Sequence, residues 1–145
     1  MSRSIHHPLR NSLVKQLTFI DEKRVELHDL YKANAPNQER NHPFFDVYVD
    51  EVEKFLVEID QQADSSLPKV FIGSKVSVVF EEDNFEDQFT IGFPEQSDPD
   101  RGYISVLSPL GRQLLLRSLD EVVPVSTPNG ETRVTIRRID FKDYE

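Results

Sequence analysis

The spacing of apolar residues changes once along this chain, and that change limits the folds open to it. Up to about residue 62 apolar side chains recur every three or four positions; from about residue 76 they alternate with polar ones. Leu13, Leu17, Ile20, Leu27 and Tyr31 form one stripe, interrupted at Arg24, with the spacing of a coiled-coil seam. With no Gly or Pro between Pro8 and Pro36, the pattern predicts a helix over residues 9–33. Asn34-Ala35-Pro36-Asn37 and Asn41-His42-Pro43 break it, because each proline disfavours helix at the residue before it. A second helix is predicted over 43–62, with Pro43 in its first turn. Its stripe is Phe45, Val49, Val52, Leu56 and Ile59, broadened by Tyr48 and Phe55. Two helices of this length, each about 30 Å long, joined by a short polar loop, pair antiparallel.

Asp64-Ser65-Ser66-Leu67-Pro68 reads as a linker. Beyond it, Val76, Val78 and Phe80 alternate with polar neighbours; Glu82-Asp83-Asn84 is a turn, and Gln88–Phe93 and Gly102–Leu107 read as further strands. Ser108 is an N-cap followed by Pro109, which predicts a short helix over 109–117. Val122–Ser126 and Arg133–Ile139 make a hairpin around Thr127-Pro128-Asn129-Gly130, since Asn-Gly favours a tight turn. The expected fold class is α+β: a helical hairpin over 1–64, a linker over 65–69, and an antiparallel sheet with one helix over 70–145.

Charge narrows the partners. The net charge is −9, unevenly spread. Residues 1–42 carry seven basic and five acidic side chains; residues 43–64 carry Lys54 against seven carboxylates; residues 65–145 carry nine basic and fourteen acidic. Tight binding to nucleic acid needs Lys and Arg against phosphate, so DNA is not the expected direct partner, and a basic protein groove suits the acidic helix better. The chain has no cysteine, which excludes disulfides, Cys-held zinc and a thiol nucleophile. No apolar run approaches a membrane span, and the first residues do not read as a signal peptide, so the expected location is cytoplasmic. His6, His7, His28 and His42 lack metal-site spacing, and no phosphate-loop, dinucleotide or nucleophile-elbow motif is present. The acidic turn Glu81-Glu82-Asp83 with Glu86-Asp87 reads as a solubilising hairpin tip.

Several stretches after residue 70 resemble the C-terminal domain of the GreA/GreB transcription elongation factors. They are Val70-Phe71-Ile72-Gly73-Ser74-Lys75-Val76, Asp98-Pro99 before Gly102-Tyr103-Ile104-Ser105, and Ser108-Pro109-Leu110-Gly111-Arg112-Gln113-Leu114-Leu115. Asp120-Glu121-Val122 and a last strand ending in Arg138-Ile139 complete the series, in the family's order. The helical segment matches the family's N-terminal coiled coil in kind, shortened and divergent as in the short Gre-like regulators of the Rnk type. The family's acidic tip signature is replaced by Ala35-Pro36-Asn37-Gln38-Glu39-Arg40-Asn41-His42, Gln113 stands at a usual Ala, and Leu119 stands where the family has Gly.

The resemblance implies an antiparallel two-helix coiled coil followed by a small FKBP-like β domain. It implies RNA polymerase as partner, with nucleic acid met only through the transcription complex, and no membrane or small-molecule substrate. It also implies docking through Ile104, Ser105, Ser108, Pro109, Leu110 and Gly111, with Pro109 and Leu110 as an exposed apolar anchor. In Gre factors the arm enters the polymerase secondary channel, where tip carboxylates help hold a second Mg²⁺ and backtracked RNA is cut. Here the tip candidates are Glu39 and Asp46. No cofactor is expected beyond a Mg²⁺ shared with the polymerase active site. The expectation is a polymerase-binding regulator that is not itself an enzyme and lacks strong transcript-cleavage activity. An active cleavage-stimulating factor and an FKBP-like prolyl isomerase are the alternatives.

Overall fold

The computed structural model describes residues 8–59, 67–127 and 130–141. These fall into two compact units, residues 8–59 in the first and those from 67 onward in the second. No helix among the described residues is long and apolar enough to cross a membrane.

The first unit holds α1 (Pro8–Glu22), α2 (Arg24–Asn34) and α3 (Phe44–Glu58). Where one helix was expected over 9–33 there are two, separated at Lys23, whose φ of −109° and ψ of 20° leave helical values beside the Arg24 interruption of the stripe. Pro43 precedes α3 as its N-cap instead of lying in its first turn. The expected end of that helix, residues 60–62, lies outside the described residues. Contacts run in opposite directions along the two arms: Arg10 donates to the Leu56 carbonyl, Tyr48 to Gln16, Arg24 pairs with Asp46, and Tyr31 stacks on Phe44. The pairing is therefore antiparallel.

The buried seam of α3 is Phe45, Tyr48, Val52, Phe55 and Ile59, at alternating steps of three and four. Opposite lie Leu9, Leu13, Gln16, Ile20, Leu27 and Tyr31. Each fully buried Leu or Ile contributes about 1.5–3 kcal/mol. Leu17, Val49 and Leu56, expected in the seam, are only half-buried. Gln16 takes the place expected for Leu17, and Tyr48 and Phe55, which broadened the expected stripe, are buried positions of the seam; Tyr48 donates to Gln16, and that mutual satisfaction lets a polar pair occupy seam positions.

The second unit is a five-stranded sheet in the order β3-β2-β1-β5-β4, built from β1 (Ser74–Phe80), β2 (Phe85–Gly92), β3 (Tyr103–Ser105), β4 (Val122–Thr127) and β5 (Gly130–Phe141). The all-antiparallel expectation is corrected: β3 lies parallel to β2, pairing Thr90 with Tyr103 and Gly92 with Ser105. Residues 93–102, with short 3₁₀ turns at Pro94–Gln96 and Pro99–Arg101, carry the chain back so that β3 starts in the direction of β2. The other pairings are antiparallel. A bulge between Ser77 and Val78 in the β1–β5 ladder bends the sheet. Its core is Val76, Val78, Ile91, Val123, Val125, Val134, Ile136 and Ile139.

The helix α4 (Pro109–Leu114) is shorter than the predicted 109–117. Leu115 is extended and Leu116 takes φ 67°, so helix cannot continue. Leu67 N donates to the Ile139 carbonyl and Lys69 bridges Ser118, tying the start of this unit to the sheet. The expected linker residues 65 and 66, and turn residues 128 and 129, lie outside the described residues.

Candidate functional site

The chain makes a sharp corner between β3 and α4. Val106 and Leu107 turn inward and are buried, so the backbone must reverse within a few residues. Ser105 and Ser108 hold that reversal. The Ser105 carbonyl accepts from Ser108 N at 3.0 Å and from Ser108 Oγ at 2.7 Å, and Ser105 Oγ accepts from Leu107 N at 3.0 Å. Ser108 Oγ also accepts from Gly111 N at 3.1 Å, satisfying one of the orphan donors of the first helical turn. Gly111 is packed so closely that a Cβ there would sit 2.2 Å from the Ser105 carbonyl oxygen. The Arg112 guanidinium closes the corner on the Leu107 carbonyl at 2.8 Å.

The six residues predicted to dock therefore divide. Ser105, Ser108 and Gly111 build the corner, and Ile104 is half-buried in β3. Pro109 is exposed and Leu110 half-buried on the first turn of α4. The side chain of Gln113 links Pro109 to the sheet: Nε2 donates to the Pro109 carbonyl, and Oε1 accepts from Ser126 N on edge strand β4. That role was missed at sequence level, where Gln113 stood only as a departure from Ala; its long amide at a small-residue position was the available signal. Just after α4, Glu121 accepts from Ser118 N at 2.8 Å and meets Arg117 at 3.0 Å, which holds its carboxyl below the usual carboxylate range.

The other predicted position is the turn between α2 and α3. A 3₁₀ turn at Asn37–Glu39 is held by Tyr31, whose hydroxyl donates to the Glu39 carbonyl at 2.9 Å. The Tyr31 ring stacks on Phe44 at 4.9 Å, and Phe44 meets Phe45 edge-on at 5.1 Å. The Phe44 and Phe45 rings, with Val25, Pro43 and His28, line a cavity of about 300 Å³ that sequence reasoning did not foresee. The Glu39 side chain is exposed, whereas the Asp46 carboxylate is engaged by Arg24. Mg²⁺ asks for several converging oxygens. A single free carboxylate and a second one already ion-paired do not assemble that set, and no group of three or more His, Cys, Asp or Glu suited to a metal occurs among the described residues. His6 and His7 lie outside those residues.

A family model described as transcription elongation factor, GreA/GreB, C-term matches residues 64–141, more than half of the chain. Transcription elongation factor GreA of Halalkalibacterium halodurans is 35% identical over 98 residues, covering 66% of this chain and 62% of that protein. GreA of Chloroflexus aggregans is 38% identical over 82 residues, covering 57% and 52%. The chain thus spans about half to three-fifths of the length of these relatives. The solved structure of a prokaryotic transcription elongation factor GreA/GreB from Nitrosomonas europaea shares the fold, with a TM-score of 0.54 at 18% identity, over 90% of this chain and 94% of that one. These matches correct the expectation that the chain is not an enzyme. The relatives are GreA proteins, the class for which the resemblance implies stimulation of RNA cleavage, a catalytic role exerted on the polymerase's own chemistry.

Proposed function

This chain belongs to the GreA/GreB family, and from that premise we propose that it is a cytoplasmic regulator of transcription elongation that binds RNA polymerase through the β3–α4 corner. The observation that carries the reading is the division of labour at that corner. Ser105, Ser108 and Gly111 are consumed in fixing it, and what it presents outward is Pro109 and Leu110. A rigid turn displaying an apolar pair is the kind of anchor on which compact interfaces depend. The helical hairpin is the family's coiled-coil arm in this reading, acting at the secondary channel; the three-and-four seam of α3 supports it. The net charge of −9 supports contact with nucleic acid only through the transcription complex.

Cleavage in this reading is stimulated weakly, and any Mg²⁺ is the polymerase's own. The support is the α2–α3 turn, where Glu39 stands free and Asp46 is held by Arg24. The test of docking is Leu110→Glu. A half-buried leucine becomes a charge that must be desolvated at the interface, so the variant should bind polymerase at least about ten-fold more weakly while keeping its circular dichroism. Unchanged polymerase binding by the folded variant removes the corner from the contact. Incubation of a stalled, backtracked complex then reads the cleavage level: RNA shortening as fast as with a full-length GreA overturns the weak-stimulation reading.

A further inference from the structure

The β1–β2 hairpin and the start of β5 form a feature that the corner and the arm do not use. Residues 81–87 carry five carboxylates and no basic side chain. In their midst Phe85 is 56% exposed, an unusual amount for an aromatic ring in an ordered strand, with Phe80 across the ladder at 6.4 Å between centroids. In the turn, Asn84 takes the left-handed conformation at φ 53°, and Asp83 accepts from Phe85 N at 3.2 Å. Next to it is a concavity of about 460 Å³ lined by Glu81, Glu82, Pro124, Glu131, Thr132 and Arg133. Arg133 is spent on Glu81 at 2.9 Å, so Glu82 and Glu131 leave the hollow negative. The Thr132 hydroxyl on its wall is buried and has no hydrogen-bond partner among the described residues.

We propose that this end of the sheet is a second docking surface for the polymerase, which receives a basic protein segment in the acidic hollow and an apolar cleft over Phe85. The inference rests on the polymerase-binding reading above. Charge complementarity selects the occupant. Nucleic acid and anionic lipid surfaces are both repelled by this concentration of carboxylates. A protein that holds nucleic acid must itself present Lys and Arg, and the segments bearing them are the complementary surface. An exposed aromatic ringed by charge is the arrangement of an interface anchor with a polar rim, which a merely solubilising turn does not need.

The experiment uses the full chain and core RNA polymerase, with affinity measured across a salt series. Phe85→Ser should weaken binding about ten-fold at every salt concentration, as loss of an apolar anchor does. Glu82→Lys with Glu86→Lys should weaken it several-fold at low salt and progressively less as salt rises, because exposed charges are screened. All three positions are exposed, and circular dichroism confirms folding; Phe85→Leu, which keeps an apolar side chain, should bind nearly as well as the parent. If the parent fails to bind polymerase at any salt, the family reading fails and this inference with it. If Leu110→Glu breaks binding while Phe85→Ser and the charge reversal bind like the parent at low salt, the hairpin is only a solubilising tip and this inference alone is overturned.

Discussion

The β3–α4 corner and the α2–α3 turn both reverse the chain between two elements, yet they do so by different physics. At the corner, main-chain groups and two hydroxyls are hydrogen-bonded to one another, and Gly111 lies against the Ser105 carbonyl with no space for a side chain. At the turn, main-chain bonds such as Glu39 N to the Pro36 carbonyl and His42 N to the Glu39 carbonyl are joined by ring stacking, one tyrosine hydroxyl and an exposed ion pair, with no side-chain hydroxyl capping and no glycine close approach. The first solution depends on particular residues at particular positions; the second works with many sequences that place aromatics on either side of a proline. A corner of the first kind therefore leaves a signature that can be matched between proteins, while a turn of the second kind can drift.

The contrast makes its largest prediction at Gly111. In Gly111→Ala the new Cβ meets backbone oxygen, which cannot swing aside as a side chain can. The corner must open, breaking the Ser108 cap, at an expected cost of about 3 kcal/mol. Urea denaturation measures it, and polymerase binding should fall in parallel. A variant as stable as the parent would show that the corner is no more constrained than the turn.

A smaller effect is expected inside the helical hairpin. Tyr48→Phe removes the hydroxyl that donates to Gln16 Oε1 in the buried seam. The loss should be about 1–2 kcal/mol, and the double variant Gln16→Leu with Tyr48→Phe should recover most of it, since it removes the donor and the acceptor of this bond together. If the single and double variants are equally destabilised in thermal melts, the pair does not set the seam.

That pair also marks where sequence reading ran out. The three-and-four rhythm revealed the helical stretches and included Tyr48 in the second stripe, but choosing the more apolar of two neighbours put Leu17 in the seam in place of Gln16. A mutually satisfied polar pair has no signature in a hydrophobic pattern. The alternation over 102–107 likewise revealed a strand without revealing its partner. Parallel pairing with β2 is decided by the path of residues 93–102, where two 3₁₀ turns reorient the chain. Ser108 and Pro109 were legible because capping chemistry restricts residue identity directly, whereas Gly111 entered only through the family resemblance and its close approach to the Ser105 carbonyl had no signature in the sequence pattern. The single-helix expectation over 9–33 failed at Lys23, one residue before the polar interruption that the stripe had already shown.

Glu121 gives a gentler test of the second unit. Its carboxyl is held below the ordinary range, chiefly by the Ser118 N–H and also by Arg117. A depressed folded-state value means that its contribution is present above the ordinary carboxylate range and is lost as pH falls through the lowered value. Glu121→Gln should thus lower stability slightly at neutral pH and flatten the acid side of the stability curve. An acid limb as steep as the parent's would assign the pH dependence to other carboxylates.

The smallest stability change, and the most informative functional one, is expected at Arg24. Its pairing with Asp46 lies in water, with half or more of each side chain exposed. Such pairs contribute at most about 1 kcal/mol, because solvent screens the attraction and ordering two side chains opposes it. Arg24→Ala should therefore melt within about 0.5 kcal/mol of the parent, in contrast to Gly111→Ala. Yet it releases the Asp46 carboxylate at the base of the turn that carries Glu39. If the pairing is what keeps carboxylate density low at the tip, RNA shortening in a backtracked complex should speed up in Arg24→Ala and fall back in Arg24→Ala with Asp46→Asn. Equal rates in all three proteins would mean that Asp46 has no part in the stimulation, and would leave Glu39 as the carboxylate to test next by Glu39→Ala.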